Sequence, residues 1–382
     1  MRWLMIDKYK CLNDITLQDL QDFAGLFPQQ LYVQGLVQGN YTEEQAHNVM
    51  NMLLGRLGCK SIQDHYYVED RTVQLPQGAH YIRCHTLNEQ DTNTVITNYY
   101  QIGPNNVRLE CILDLLMMFV EEPLFDQLRT KEQLGYHVGA TVRMNYGIAG
   151  YSIMVNSQET NTTASHVEKR IEVFRNNMLQ ILEDMSQEDY DHTRDSLIKL
   201  KQVADMALAT EVSRNWNEIV NEEYMFDRRR QQIDVLRSLT KREIVAFLLD
   251  NEITNMRKVS IQVIGHQPEK TSKLKSKALA ETEGDAQSSL TETTPSSENE
   301  DDDEDDDMES SEEDEDELFE ALANKLNVVF LPEEGDATTI VDIADFKSSL
   351  DLYPMTLFNN VSADVEDASS KPTLIEDALM NT

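Results

Sequence analysis

The segment "PLFDQLRTKEQLGYHVG", residues 123–139, holds the side chains of this sequence that are best suited to contact a reacting group. Arg129 and Tyr136 lie near the end of a predicted helix, together with a lysine and a glutamate. A guanidinium and a phenol can both donate hydrogen bonds to a peptide carbonyl whose oxygen becomes negative during attack. Both residues are therefore candidate contacts to a substrate. The alternative is a network that caps the helix, with Arg129 paired to a carboxylate and Tyr136 half buried.

Recognisable catalytic and metal-binding motifs are missing. None of the eight histidines stands in H-x-x-E-H or in H-E-x-x-H. The string "HYIRCH" puts His80, Cys84 and His85 on a predicted strand, where the two histidines point to opposite faces. The string "HVEKR" contains a single histidine. The sequence thus predicts no catalytic residue and no metal site of its own.

Cysteine usage and hydropathy both indicate a cytoplasmic protein. No apolar run approaches the roughly 18 residues that span a bilayer, and the apolar stretch in "MRWLMIDKYK" is too short for a secretory signal. The cysteines are far apart and form no C-x-x-C, so we expect reduced, mostly buried thiols and neither a zinc ribbon nor a disulfide framework. They are Cys11, Cys59, Cys84 and Cys111.

The negative charge is concentrated in one segment. The net charge is -36, but residues 281–320 hold 21 acidic and no basic side chains, which leaves about -15 for the rest (-36 + 21). The run "ENEDDDEDDDMESSEEDEDE", residues 298–317, has a single apolar residue and is predicted to be disordered. It is either a solvated spacer or an electrostatic site for basic peptides or polyamines. Such a segment repels nucleic acid and anionic membranes, so neither is expected as a partner.

The periodicity before the acidic segment predicts an α+β domain over residues 76–268. Residues 104–122 are predicted to form a buried helix, because the segment from Cys111 to Val120 is apolar on nearly all sides. Pro123 is expected to begin a second helix, with Leu124, Phe125 and Leu128 facing inward, and Gly135 to end it. "YHVGATVRM" and "GYSIMVNSQ" predict a hairpin around the turn "NYG".

Further helices follow in the sequence, and a strand comes last. Ser186 is a predicted N-cap, Thr240 and Glu243 form a predicted capping box, and "KVSIQVIGH" reads as a strand. An antiparallel sheet packed with long helices is the expected architecture, completed by "TTIVDIADFKSSLDLYP" after the acidic segment. Apolar residues at helical spacing are expected to pack in the core; they are Val167, Ile171, Phe174, Met178, Ile181 and Met185.

An internal repeat relates the beginning of the chain to the end of this domain. "ITLQDLQDF" (15–23) matches "LTKREIVAF" (239–247) in its threonine cap, in the acid three residues later and in its apolar positions. A strand-like pattern follows each copy, "YVQGLVQG" and "VSIQVIGH". The strands that should precede the first copy are not present, so the chain is expected to start inside a domain.

Three strings carry a resemblance to a known family. "EEPLFDQLRTKEQLGYHVG", "GIAGYSIMVNSQ" and "RNWNEIVNEEYMFDR" resemble the C-terminal half of nardilysin-like and insulysin-like metallopeptidases, the pitrilysin type with an inverted zinc motif. The resemblance implies four homologous α+β domains, which close around a peptide. It assigns residues 1–70 to the end of the third domain and 76–268 to the fourth. A disordered acidic segment (269–325) and a C-terminal extension (326–382) would follow.

The resemblance also implies that zinc binding and part of the substrate binding are carried out by different halves of the protein. In the family, zinc is bound by H-x-x-E-H in the N-terminal half, which is absent here, while the residues matching Arg129 and Tyr136 reach toward the substrate backbone near the zinc. We therefore expect a non-catalytic, substrate-binding half of a zinc metalloendopeptidase for basic peptides, inactive and free of zinc by itself. Its partner would be a chain supplying the catalytic half. The alternative is a non-enzymatic acidic protein that binds basic peptides, polyamines or a full-length relative.

Overall fold

The computed structural model describes residues 5–12, 14–62, 70–88, 90–266, 330–331 and 338–354. The acidic segment and its predicted disorder lie outside these ranges. The α-helices are α1 (Met5–Leu12), α2 (Leu17–Leu26), α3 (Glu43–Leu57), α4 (Val107–Leu124), α5 (Ala164–Asp184), α6 (Gln187–Gln202), α7 (Leu208–Val220), α8 (Arg228–Ser238), α9 (Lys241–Leu248) and α10 (Ile343–Ser348). The strands are β1 (Gln30–Leu31), β2 (Lys60–Ser61), β3 (Gly78–His85), β4 (Asn93–Pro104), β5 (His137–Asn145), β6 (Ile148–Gln158), β7 (Arg257–Ile264) and β8 (Thr338–Thr339).

A sheet with the strand order β5-β6-β4-β7-β3-β8 organises the domain. The α+β class is confirmed, but the sheet is mixed rather than antiparallel, since β3 pairs in parallel with both β7 and β8. The reason lies in the position of β7. A short loop reverses the chain between β3 and β4, and β7 then inserts between them. Because β7 is antiparallel to β4, it must run in the direction of β3.

The hydrophobic core lies between this sheet and the long helices. Helix α4 packs against β5, α8, α6 and α5, and its apolar residues from Cys111 to Val120 are mostly buried, as predicted. On α5, Val167, Ile171 and Phe174 have no exposed surface. Met178 is buried as well, and Ile181 and Met185 pack at the edge of the same cluster. The predicted core face of α5 is confirmed.

The local signals that fix helix and strand ends are also confirmed. Ser186 Oγ accepts a hydrogen bond from the Asp189 amide at 3.0 Å, and Thr240 forms its capping box with Glu243. The hairpin β5–β6 closes at Tyr146 and Gly147, which both have positive φ. A two-residue turn of this kind has the twist that antiparallel strands require.

The first copy of the repeat folds only in part. Thr16 and Asp19 form the expected capping box at the start of α2. The strand predicted over residues 32–39 is wrong, because pairing is limited to Gln30 and Leu31 against β2. A strand needs a neighbour for its backbone hydrogen bonds, and no described segment pairs its backbone with residues 32–39. The hydrogen bonds of Gln34 to Tyr224 and of Gln38 to Asn215 run between side chains.

Two further expectations concern the cysteines and the membrane. No disulfide joins the cysteines, but the expectation that they are mostly buried is wrong: Cys111 is buried, Cys59 and Cys84 are half-buried and Cys11 is exposed. Burial raises the pKa of the Cys111 thiol to about 12. Among the described residues, no helix is both long and apolar enough to cross a membrane.

Candidate functional site

The helix that carries the candidate site passes through Pro123 instead of starting there. Helix α4 runs to Leu124 and continues as a π-helix from Phe125 to Lys131, so the prediction of a separate second helix is wrong. Proline has no N–H to donate to the previous turn, and the chain widens to π geometry directly after it. The amide of Phe125 still donates to the carbonyls of Glu121 and Glu122, which keeps the helix continuous.

The chain leaves this helix at Gln133 rather than at Gly135. Gln133 has a φ of 53°, and the amide of Leu134 donates to the Leu128 carbonyl at 3.0 Å. Gly135 is required for another reason. A Cβ at this position would lie 2.0 Å from the backbone oxygen of Asn156 on β6, so only glycine permits the close approach. The predicted role of Gly135 as the helix stop is therefore wrong.

The guanidinium of Arg129 contacts two aromatic rings. Its central carbon is 4.6 Å from the ring centroid of Phe125 and 4.6 Å from that of Tyr136. Tyr136 is 82% exposed, whereas Arg129 is half-buried. No hydrogen bond or ion pair joins Arg129 to another residue in the described ranges. The two cation–π contacts orient the guanidinium and leave its N–H groups available to an incoming acceptor.

Neither part of the capping alternative matches this geometry. The neighbouring charges are already paired with each other: Glu132 accepts two hydrogen bonds of 2.6 Å from Arg170 on α5, and Lys131 lies 2.6 Å from Asp126. The hydrogen bonds from Arg170 lower the pKa of the Glu132 carboxyl. Because Glu132 is held by α5, it does not neutralise Arg129.

Phe125 is the site residue that sequence reasoning missed. It was expected to face inward with Leu124 and Leu128, but those two are buried and Phe125 is substantially exposed. The wider π turn changes the direction of side chains relative to an α-helix, which hydrophobic periodicity does not anticipate. The spacing of Phe125 and Arg129, four residues apart on a helix, is the sequence signal from which their contact could have been predicted.

The histidines near β3 do not assemble a metal site in the described part of the chain. His80 is buried, and the rings of His85 and His266 stack with their centroids 4.8 Å apart. Across residues 5–12, 14–62, 70–88, 90–266, 330–331 and 338–354, no group of three His, Cys, Asp or Glu side chains is arranged to hold a metal ion. The absence of a zinc site from the whole chain stays a prediction.

Comparison with known proteins identifies the domain. Residues 14–197 match the family described as the peptidase M16 inactive domain. Over these residues the chain is similar to an M16 inactive domain. It is 38% identical over 266 residues to nardilysin from Homo sapiens, 32% over 245 residues to a nardilysin-like protein from Arabidopsis thaliana and 29% over 272 residues to insulin-degrading enzyme from Homo sapiens. The resemblance stated from "LRTKEQLGY" and its neighbours is confirmed.

The alignments cover most of this chain and a small part of each relative. They include 69%, 63% and 69% of this chain, but only 23%, 24% and 26% of the respective relatives. The chain thus spans about a quarter of the length of these curated proteins. Pitrilysin has the same fold, with a TM-score of 0.60 at 19% identity over 70% of this chain and 28% of pitrilysin. A conserved protein from Enterococcus faecalis has a TM-score of 0.50 at 12% identity over 68% of this chain and 58% of its own.

Proposed function

We propose that this chain is the non-catalytic, substrate-binding part of a nardilysin-like zinc metalloendopeptidase. Arg129 and Tyr136 would contact the backbone of a bound peptide, and H-x-x-E-H and its zinc would be supplied by a catalytic half. The observation that carries the proposal is the stacked, unneutralised guanidinium of Arg129 beside an 82% exposed phenol. Two donors held this way suit a carbonyl oxygen that gains negative charge during hydrolysis.

The exposed apolar surface of α2 supports the binding of a partner chain. Leu20 on α2 is 58% exposed, whereas Ile244, its equivalent on α9, is 1% exposed. Ile15 and Leu239 differ in the same way. In the second copy these side chains lie against the rest of the domain, while the first copy has the same apolar pattern with nothing described on top of it. A contiguous apolar surface of this kind marks an interaction site.

The proposal is tested by combining this chain with the N-terminal half of a nardilysin that contains H-x-x-E-H. Neither half alone should cleave a peptide with paired basic residues, and the mixture should. Arg129→Ala or Tyr136→Phe should lower the activity of the mixture by roughly ten- to a thousandfold, as expected for losing a donor to the transition state. Tyr136→Phe is the sharper variant because it keeps the ring over Arg129 and removes only the hydroxyl.

Two controls separate function from folding. Arg129→Lys retains the charge but loses the planar fork, so it should resemble Arg129→Ala if geometry matters. Arg237→Ala removes an exposed arginine on α8 and should leave activity unchanged. Full activity of both site variants, or a large drop in their melting temperature as free chains, would show that Arg129 and Tyr136 are structural caps.

A second candidate function involves the acidic residues 281–320. The described part of the domain before these residues ends at His266, whose Nε2 lies 3.0 Å from the Thr86 carbonyl. The described part after them begins at Phe330, which forms an isolated antiparallel β-bridge with Cys84. The described residues that precede and follow this part of the sequence, His266 and Phe330, thus both lie at the same end of β3. This arrangement favours a role in attracting basic peptides or polyamines, as an addition to substrate binding or in place of it.

A further inference from the structure

The two edges of the central sheet differ in whether other residues cover them. The β3 edge is covered by the chain's own C-terminal residues: Thr338 and Thr339 pair with it, and the amides of Leu331 and Ile340 donate to the carbonyls of Arg83 and Tyr81 at 2.9 and 2.8 Å. The opposite edge is β5, which pairs with β6 on one side. In the described structure, no strand, helix or loop donates a backbone hydrogen bond to its other side.

The turn geometry shows which peptide groups point outward from β5. Tyr146 and Gly147 occupy the centre of the hairpin turn, so Asn145 and Ile148 form its closing hydrogen-bonded pair. Hydrogen-bonded pairs alternate with non-bonded pairs along an antiparallel ladder. The register between β5 and β6 has no irregularity. The residues whose N–H and C=O groups face away from β6 are therefore Val138, Ala140, Val142 and Met144.

This edge lacks two of the devices that normally prevent strand addition, proline and a bulge, and its charged Arg143 donates to Ser152 on β6 at 3.0 Å. β5 is nine residues long, contains no proline and has no bulge. Gly139 lies in its middle with no atom within 4 Å of where a Cβ would be, so nothing in the described chain requires a glycine there. A glycine inside a strand often marks the close approach of another backbone. An unprotected edge of this length serves as a template for an added strand.

The open edge begins directly at the candidate site. Tyr136 precedes the first residue of β5, and the Arg129 guanidinium stacks on its ring. A peptide that reached this pair in an extended conformation would continue along the outward groups of β5. We propose that the β5 edge binds an extended, proline-free peptide by strand addition, with main-chain hydrogen bonds to residues 138–144. The proposal rests on the proposed function, since it gives the conformation and register of the same bound peptide.

The charge of the molecule favours a peptide over a second copy of the chain. Two copies could in principle pair their β5 edges, but each carries a net charge of -36. Like charges of this size oppose self-association, particularly at low salt, and attract cationic peptides. The occupant that fits is therefore a foreign peptide of neutral or positive charge.

Residue-resolved amide hydrogen exchange of the full chain tests the proposal. The probe is a ten-residue peptide of alternating Thr and Val with a central Lys-Lys pair. With free probe at about nine times its Kd, exchange should slow about tenfold at Val138, Ala140, Val142 and Met144, because only the unbound fraction exchanges. Exchange at the intervening residues should not change, since their amides already bond to β6.

Three outcomes of this experiment would overturn the proposal: protection at the β3 edge, protection of both sets of β5 amides, or no protection at all. Protection that rises with protein concentration without probe would assign the edge to a second copy.

A backbone variant and a modified probe complete the test. Ala140→Pro removes one outward N–H at an edge position where proline is tolerated, and should weaken binding roughly tenfold. Ala140→Val keeps the N–H and should bind within about twofold of the natural chain. If Ala140→Pro does not fold, a probe with consecutive N-methylated residues should lose binding to the natural chain; unchanged affinity would contradict strand addition. These measurements use no catalytic half, so a failure of reconstituted activity and a failure of the edge proposal are distinguishable.

Discussion

Lys258 is an almost fully buried cation, and two carboxylates of α5 stabilise its charged form. Its Nζ contacts Glu168 and lies 2.8 Å from Glu172 Oε1, which also accepts a 2.6 Å hydrogen bond from the Tyr100 hydroxyl. Burial alone would raise the pKa of Glu172, but the attraction of Lys258 and Arg175 outweighs it and lowers that pKa. The pKa of Lys258 is raised in turn, because the two glutamates outweigh its own burial. The network joins α5 to β7 at the centre of the sheet.

Replacing Lys258 by methionine should destabilise the free chain by roughly 3–5 kcal/mol, because the partly buried carboxylates of Glu168 and Glu172 lose their shared cation and Glu172 keeps only Arg175. In the natural chain, the lowered pKa of Glu172 gives stability that is present above the ordinary carboxyl pKa of 4.5 and is lost as the pH falls below it. In the variant, the pKa of Glu172 should rise, so the loss relative to the natural chain should be smaller at pH 4 than at pH 7. Chemical denaturation at both pH values measures this. An equal loss of stability at pH 4 and pH 7 would show that the effect of the substitution comes mainly from packing and not from charge.

At the scale of elements, α2 and α9 show how similar sequences acquire different roles. Both start with a capping box and present the same apolar positions. Helix α9 packs against α5 and precedes β7, whereas none of the residues of α2 is buried. The caps establish where each helix begins, but the surrounding elements determine whether its apolar face is in the core.

Matched substitutions in the two copies should separate core from interface. Ile244→Ala should cost the free chain roughly 2–5 kcal/mol, as for other large-to-small changes in a core. Leu20→Ala should change its stability by less than about 0.5 kcal/mol, because the side chain is exposed. Leu20→Asp should leave the free chain folded but weaken its association with a complementary half. Urea denaturation and a binding titration give the two quantities. Equal stability losses for Ile244→Ala and Leu20→Ala would mean that α2 is buried in solution.

For the whole molecule, the distribution of charge predicts a salt-sensitive interaction. Deleting residues 281–320 removes 21 acidic side chains and should abolish most binding of spermine, measured by isothermal titration calorimetry. For the natural chain, binding should weaken steeply between low and physiological salt, where the Debye length is about 8 Å. A matched version with the same segment rich in Gln and Asn should behave like the deletion. Unchanged spermine affinity in either variant would place the cation site elsewhere.

The sequence by itself determined the features that depend on neighbours a few positions away. The caps at Thr16, Ser186 and Thr240, the hairpin turn at Tyr146 and the core face of α5 follow from local hydrogen bonding and periodicity. The string "LRTKEQLGY" was enough to indicate the family. Arg129 and Tyr136 could be named as candidates because their chemistry is visible in their residue types.

Only the tertiary structure decided the features that depend on what packs against a residue. Gly135 is needed because the backbone of β6 passes 2.0 Å from where its Cβ would be, and Phe125 meets Arg129 because the helix widens after Pro123. The insertion of β7 beside β3 makes the sheet mixed, and among the described strands β5 forms the edge opposite β8. Apart from the contact of Phe125 with Arg129, four residues away, none of these features is encoded within a few residues along the chain. They arise from long-range packing, which brings together groups whose spacing in the sequence carries no periodic signal.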